Sequence, residues 1–125
     1  MSDITYSINA QLSMDALSQS FVAGGVTADC SQAGFATVTV APGTNAAGTV
    51  AISTATLASV GLYFARNLST VSTSTVSFGQ LSAGAMVPTV LLRGGEASIG
   101  RLAAGSYAAM ANITGTRLLI SIVEG

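Results

Sequence analysis

Histidine, tryptophan and lysine are all missing from this 125-residue chain, and cysteine occurs once. Each absence closes a line of chemistry. Without histidine there is no Ser-His-Asp triad and no imidazole base, and without lysine there is no serine–lysine dyad. The lone Cys30 can make no disulfide within the chain. With no histidine or lysine to hold a thiolate, it reads as a small, partly buried apolar residue. Clusters of His, Cys or carboxylates at ligand spacing are lacking. Asp15 and Asp29, helped by loop carbonyls, are the one pair from which a calcium site is conceivable. No Walker-type loop occurs, and no Gly-x-Gly-x-x-Gly stands between a strand and a helix. No catalytic, cofactor-binding or metal-binding residue is therefore expected, and no enzyme.

Charge is scarce as well. Charged residues make up 7% of the chain, against roughly a quarter in an average soluble protein. The four cations are Arg66, Arg93, Arg101 and Arg117; the five anions are Asp3, Asp15, Asp29, Glu96 and Glu124, for a net charge of -1. A nucleic-acid binder needs many cations to replace counterions along the phosphates, and four dispersed arginines do not supply them. Long apolar runs are missing too, although the mean hydropathy is +0.64. A spanning helix needs about 18 apolar residues in succession, whereas the strongest stretches are GLYFA and LLISIV. No membrane partner is expected. The opening MSDITYSINA has neither a basic nor a strongly apolar region, so no secretory signal is expected either. The sequons at Asn67 and Asn112 read as loops or strand ends.

What the chain does have is alternation with a period of two. ITYSINAQL (4–12) sets Ile4, Tyr6, Ile8, Ala10 and Leu12 against Thr5, Ser7, Asn9 and Gln11, the pattern of a half-buried strand. Residues 13–34 are less regular: Ser13 to Leu17 can cap a short helix or continue as extended chain, and Gly24-Gly25 punctuates the segment. FATVTV (35–40) is a strand by its β-branched content and ends at Ala41-Pro42-Gly43. Further strands are expected over 49–56, 60–68, 70–79, 86–93, 97–102, 106–112 and 117–123. Of these, 60–68 is apolar on both faces and so central. Pro88 marks 86–93 as an edge or a bulge. Residues 113–116 are expected to join the last two strands as a hairpin. These are about eight short strands with no helix between them. They predict an all-β, single-domain chain over 1–125: an antiparallel β-sandwich of jelly-roll type, or a small closed barrel. The aromatic residues alternate within strands and are expected in the core.

A small domain exposes much of its chain, and a soluble surface normally carries about 25–35% charged residues. Nine charges cannot provide that, nor is there any lysine to guard the strand edges. Contacts with other subunits or a docking surface resolve the conflict, and an assembly protein is expected; the alternative is a soluble monomer coated in hydroxyls.

A little over half of the chain, about 57–125, resembles small structural proteins of tailed bacteriophages. The motifs are VGLYFARNLST with its Arg-Asn-Leu end, VSFGQ, the Leu-x-x-Gly-Glu turn in VPTVLLRGGEASIGRLAAGSYAAMA, and the closing TRLLISIVEG. Ser69 stands where an acidic residue is usual, and Arg93-Gly94 where a lysine is. The resemblance implies a β-sandwich virion protein on the capsid surface: a decoration (cement) protein that binds the major capsid protein, bridges capsomers and forms homotrimers. A receptor- or carbohydrate-binding module on a head or tail fibre is the alternative, as is a tail accessory protein. A two-carboxylate glycosidase ranks last.

The motif residues also have plain structural roles. Asn67 can bond the backbone two residues on, and Gly94-Gly95 frees a tight turn. Glu96 can accept turn amides or pair with Arg66, Arg93 or Arg101. Arg66 stands at an exposed strand end or beside a buried acid. The segment 13–34 is expected to be the arm that reaches a neighbour.

Overall fold

The structure, a computed structural model, describes residues 2–30, 35–43, 49–53 and 57–124. Among them lie ten strands: β1 (Ser2–Met14), β2 (Leu17–Cys30), β3 (Phe35–Val40), β4 (Val50–Ile52), β5 (Val60–Asn67), β6 (Thr75–Ser82), β7 (Ala85–Arg93), β8 (Ala97–Arg101), β9 (Tyr107–Ala111) and β10 (Leu118–Glu124). Eight of them build two antiparallel sheets, ordered β3-β10-β5-β8 and β4-β9-β6-β7, and β1 pairs only with β2. Within the sandwich the chain crosses between sheets at almost every connection, and only β6 and β7 follow one another within a sheet. That order is the jelly roll, two Greek keys wound into one sandwich.

The core explains why these segments are strands. In β10 the burial alternates strictly, with Leu118, Ile120 and Ile122 turned inward. They meet Tyr63 and Ala65 of β5 on their own side, and Val76, Phe78, Leu92 and Ala109 from the opposite sheet. Tyr63 and Phe78 join the sheets edge to face, with ring centroids 5.4 Å apart at 83°, a geometry aromatic quadrupoles favour.

Several expectations are met in detail. FATVTV is β3 from end to end. The strand at 60–67 sits between β10 and β8. Pro88 lies on edge strand β7, and the β6–β7 register shifts at Phe78/Gly79 beside it, because proline lacks the amide a regular ladder needs. Others need correcting. The residues 113–116 are not a hairpin: β9 pairs with β4 and β6, whereas β10 pairs with β3 and β5. A short loop and two β-prone flanks suit a crossing between facing sheets as well as a turn within one. The strand expected at 70–79 begins only at Thr75, because Val71–Ser74 is a turn closed by Ser74 N–H on the Val71 carbonyl at 3.0 Å. Residues 80–85 belong largely to the β6–β7 hairpin, whose turn holds Ala83 and Gly84 at φ 51° and 79°. Of 49–56, strand β4 takes Val50–Ile52, and 54–56 lie outside the described residues.

Candidate interaction surface

The largest departure is at the N-terminus. Residues 4–12 are no half-buried strand of the sandwich, and 13–34 holds no helix over its described part. Together Ser2–Cys30 form one long hairpin standing away from both sheets. At about 3.3 Å per residue, the 13 residues of β1 span roughly 40 Å. Three local features shape this arm. Its tip is a two-residue turn, with Asp15 at φ 44°, a conformation aspartate tolerates better than most residues. Its middle carries a bulge where Ser7 faces both Gly24 and Gly25. Gly25 takes φ 62° there and donates its amide to Ser7 Oγ at 3.1 Å.

The register sorts the arm into two faces. Ile4, Tyr6, Ile8, Ala10, Leu12 and Met14 stand opposite Ala28, Val26, Ala23, Phe21, Gln19 and Leu17 on one face. The other carries Thr5, Ser7, Asn9, Gln11 and Ser13 against Thr27, Val22, Ser20 and Ser18. An apolar face of this kind is normally covered, yet Met14, Leu17 and Phe21 are 60%, 54% and 53% exposed. Between Ile4 and Ala28 the only charge is Asp15, at the tip.

The arm's base rests on the sandwich. A cavity of about 140 Å³ is lined by Ile4 together with Leu62, Phe64, Ile99 and Val123, on the outer face of the β3-β10-β5-β8 sheet. Leu62 is buried there, whereas Phe64, two residues along the same face, is 42% exposed. A second apolar depression, about 250 Å³, lies over the other sheet between Thr49, Met86, Pro88 and Met110.

The residues singled out in the sequence are placed apart from the arm and serve the turns. Asn67 is fully buried; its Nδ2 donates to the Leu92 carbonyl at 3.1 Å and its Oδ1 accepts the Ser69 amide at 3.0 Å. Glu96 Oε2 accepts the Arg93 amide at 2.8 Å, and Arg66 is exposed. Gly95 takes φ 83°; Gly94 is small for a different reason, since a Cβ there would run into the Val71 carbonyl. Asn112 ties down the Val71–Ser74 turn that leads into β6, accepting from Thr75 N at 2.7 Å and donating to the Thr73 carbonyl at 2.8 Å. Both sequon asparagines are thus turn clamps. Asp15 and Asp29 sit at opposite ends of the arm, so no calcium site forms from them. Among the described residues no three His, Cys, Asp or Glu side chains are grouped to hold a metal, and no helix is long and apolar enough to cross a membrane.

Tyr63, Tyr107 and Phe78 are core aromatics, as expected, but Phe21 and Phe64 are not. The place of Phe21 is hidden in the sequence because the Gly24-Gly25 bulge shifts the alternation of β2 by one residue, so that Leu17, Phe21 and Val26 do not read as members of one face. Read back from a two-residue turn at Asp15-Ala16, the pattern is visible. Compared with known proteins, the chain matches no family model and no curated protein.

Proposed function

We propose that this chain is a structural protein of a virion: a capsid decoration protein of a tailed bacteriophage, which attaches as a homotrimer to the major capsid protein and bridges capsomers. The observation that carries this is the arm, some 40 Å of hairpin whose apolar face leaves Ile8, Met14, Leu17 and Phe21 exposed, with no cover among the described residues. An isolated two-stranded ribbon is marginal in water, so an arm of this length makes sense in an assembly. Two further points support it. The motif resemblance over 57–125 falls within the sandwich, and the jelly roll is an architecture of viral capsid and lectin domains, a fold-level analogy. The fibre-borne binding module is less favoured, because the exposed aromatics Phe21 and Phe64 stand on strands, not loops.

Attachment through apolar area and backbone edges leaves few ion pairs for salt to screen. The test is co-sedimentation of the purified protein with shells of the parent virion stripped of accessory proteins. Saturable binding that survives a rise from 50 to 500 mM salt is expected, together with a higher rupture temperature of the shell. Failure to bind, or binding that collapses at moderate salt, would overturn the proposal.

A further inference from the structure

The arm and the sandwich of one chain carry complementary surfaces. The arm's apolar face begins with Ile4, and Ile4 already lies over Leu62 and Phe64. The arm's apolar face, which runs on through Ile8 and Phe21, therefore starts at the patch around Phe64 and Ile99. The charges match as well. Strand alternation puts Arg66 and Arg101 on this outer face, flanking the patch, with no acid among the face's β5, β8 and β10 residues, whereas the arm's tip is Asp15. The area fits too. A folded monomer of 12.3 kDa should expose about 6,100 Å², and this chain exposes 7349 Å². The excess, roughly 1,200 Å², is more than the ~800 Å² each partner gives to a standard interface.

We infer that the arm is an exchange clasp: its apolar face lies on the outer face of the β3-β10-β5-β8 sheet of a second copy of this chain, over Phe64 and Ile99, with Asp15 reaching an arginine at the margin. Each copy gives one arm and receives one, and the contact closes where the exchange is two-fold or where the head-to-tail rotation completes a ring. The patch lies beside the root of the chain's own arm. A neighbour's arm laid there covers Phe64 and the root together, and what is unstable as a lone hairpin becomes the third layer of a sandwich. The clasp deepens the assembly proposal, but its test needs no shell. Failure of shell attachment and failure of arm exchange are therefore read separately.

The experiment mixes unlabelled and ¹⁵N-labelled copies carrying the photo-crosslinker benzoylphenylalanine at position 21, irradiates them and maps the linked peptides by mass spectrometry. Links between chains of different label, from residue 21 to residues 61–66 or 97–101, are expected. Light scattering should give a closed oligomer for the wild type and a monomer for Leu12→Ser/Phe21→Ser. Both side chains stand on the arm, so a cooperative thermal melt of the dissociated variant, lowered only by the loss of association, shows that the sandwich still folds. Asp15→Arg should weaken association by about two- to fivefold, the worth of an exposed pair, and Arg66→Asp or Arg101→Asp should restore it. A monomeric wild type, an oligomer that survives the double serine variant, or links confined to one chain or to arm-on-arm contacts would overturn the clasp.

Discussion

Strands β1 and β10 follow the same pattern and end in opposite surroundings. Both place an apolar residue at every second position, Ile4, Tyr6 and Ile8 in one and Leu118, Ile120 and Ile122 in the other. Yet β10 has β3 on one side, β5 on the other and a second sheet beneath it, and its inward residues are almost completely buried. β1 has β2 alone, and Ile8 remains 41% exposed. Alternation thus states that one face is made for burial. It does not state which molecule supplies the cover.

The sharpest way to break this comparison is to truncate one aromatic in each region. Phe78 is 1% exposed and packed against Tyr63, so Phe78→Ala should cost about 3–5 kcal/mol of unfolding free energy in urea melts. Phe21→Ala, measured in dilute solution where copies are apart, should stay within about 0.5 kcal/mol. A comparable loss at Phe21 would mean that the arm packs on its own sandwich.

This asymmetry also explains how far the sequence could be read. Strands such as 35–40 and 60–67 are legible because their neighbours lie in the same chain, and because one is β-branched over 37–40 and the other is apolar on both faces. Asn67 and Glu96 were legible as turn clamps because side-chain bonds to nearby backbone depend on local spacing alone. The sheet order was not legible. A loop such as 112–117 has the same composition whether it turns within a sheet or crosses to the facing one, and only the shared core decides. The arm was hidden twice, once by its bulge and once because an apolar face awaiting a partner reads like one already covered. Expecting an arm over 13–34 located half of it; β1 is the other half.

Glycine provides a second, smaller contrast. Gly79 lies in the bulge opposite Pro88, where an added Cβ would meet the Val87 carbonyl. Gly79→Ala should therefore cost about 1–3 kcal/mol, as overpacking does. Gly24 is also in a bulge, but nothing lies within 4 Å of its missing Cβ, and its φ is not positive. Gly24→Ala should leave the melt unchanged or raise it slightly, since glycine loses more freedom than alanine on folding. If both changes were silent, the sandwich edge at β7 would be as loose as the arm.

The smallest effect expected is confined to one side of the comparison. Tyr107 is buried in the sandwich, where its hydroxyl donates to the Ala103 carbonyl at 2.5 Å. Burial pushes its phenol above the ordinary value of 10.0, because desolvation penalises the phenolate. The unfolded chain, in which the phenol ionises at its ordinary value, therefore gives up this proton first. The stability the group contributes is complete below about pH 10 and is lost as pH climbs through the raised value. At neutral pH, Tyr107→Phe should cost about 0.5–1.5 kcal/mol, the worth of the hydrogen bond. That gap should narrow in urea melts as pH rises past 10, since phenylalanine has no proton to lose and the other tyrosines are common to both chains. Because Tyr107 faces the core, the narrowing should be identical in a Leu12→Ser/Phe21→Ser background. A different alkaline profile there would mean that arm and core are energetically coupled, and that the sandwich does not fold independently of what its arm holds.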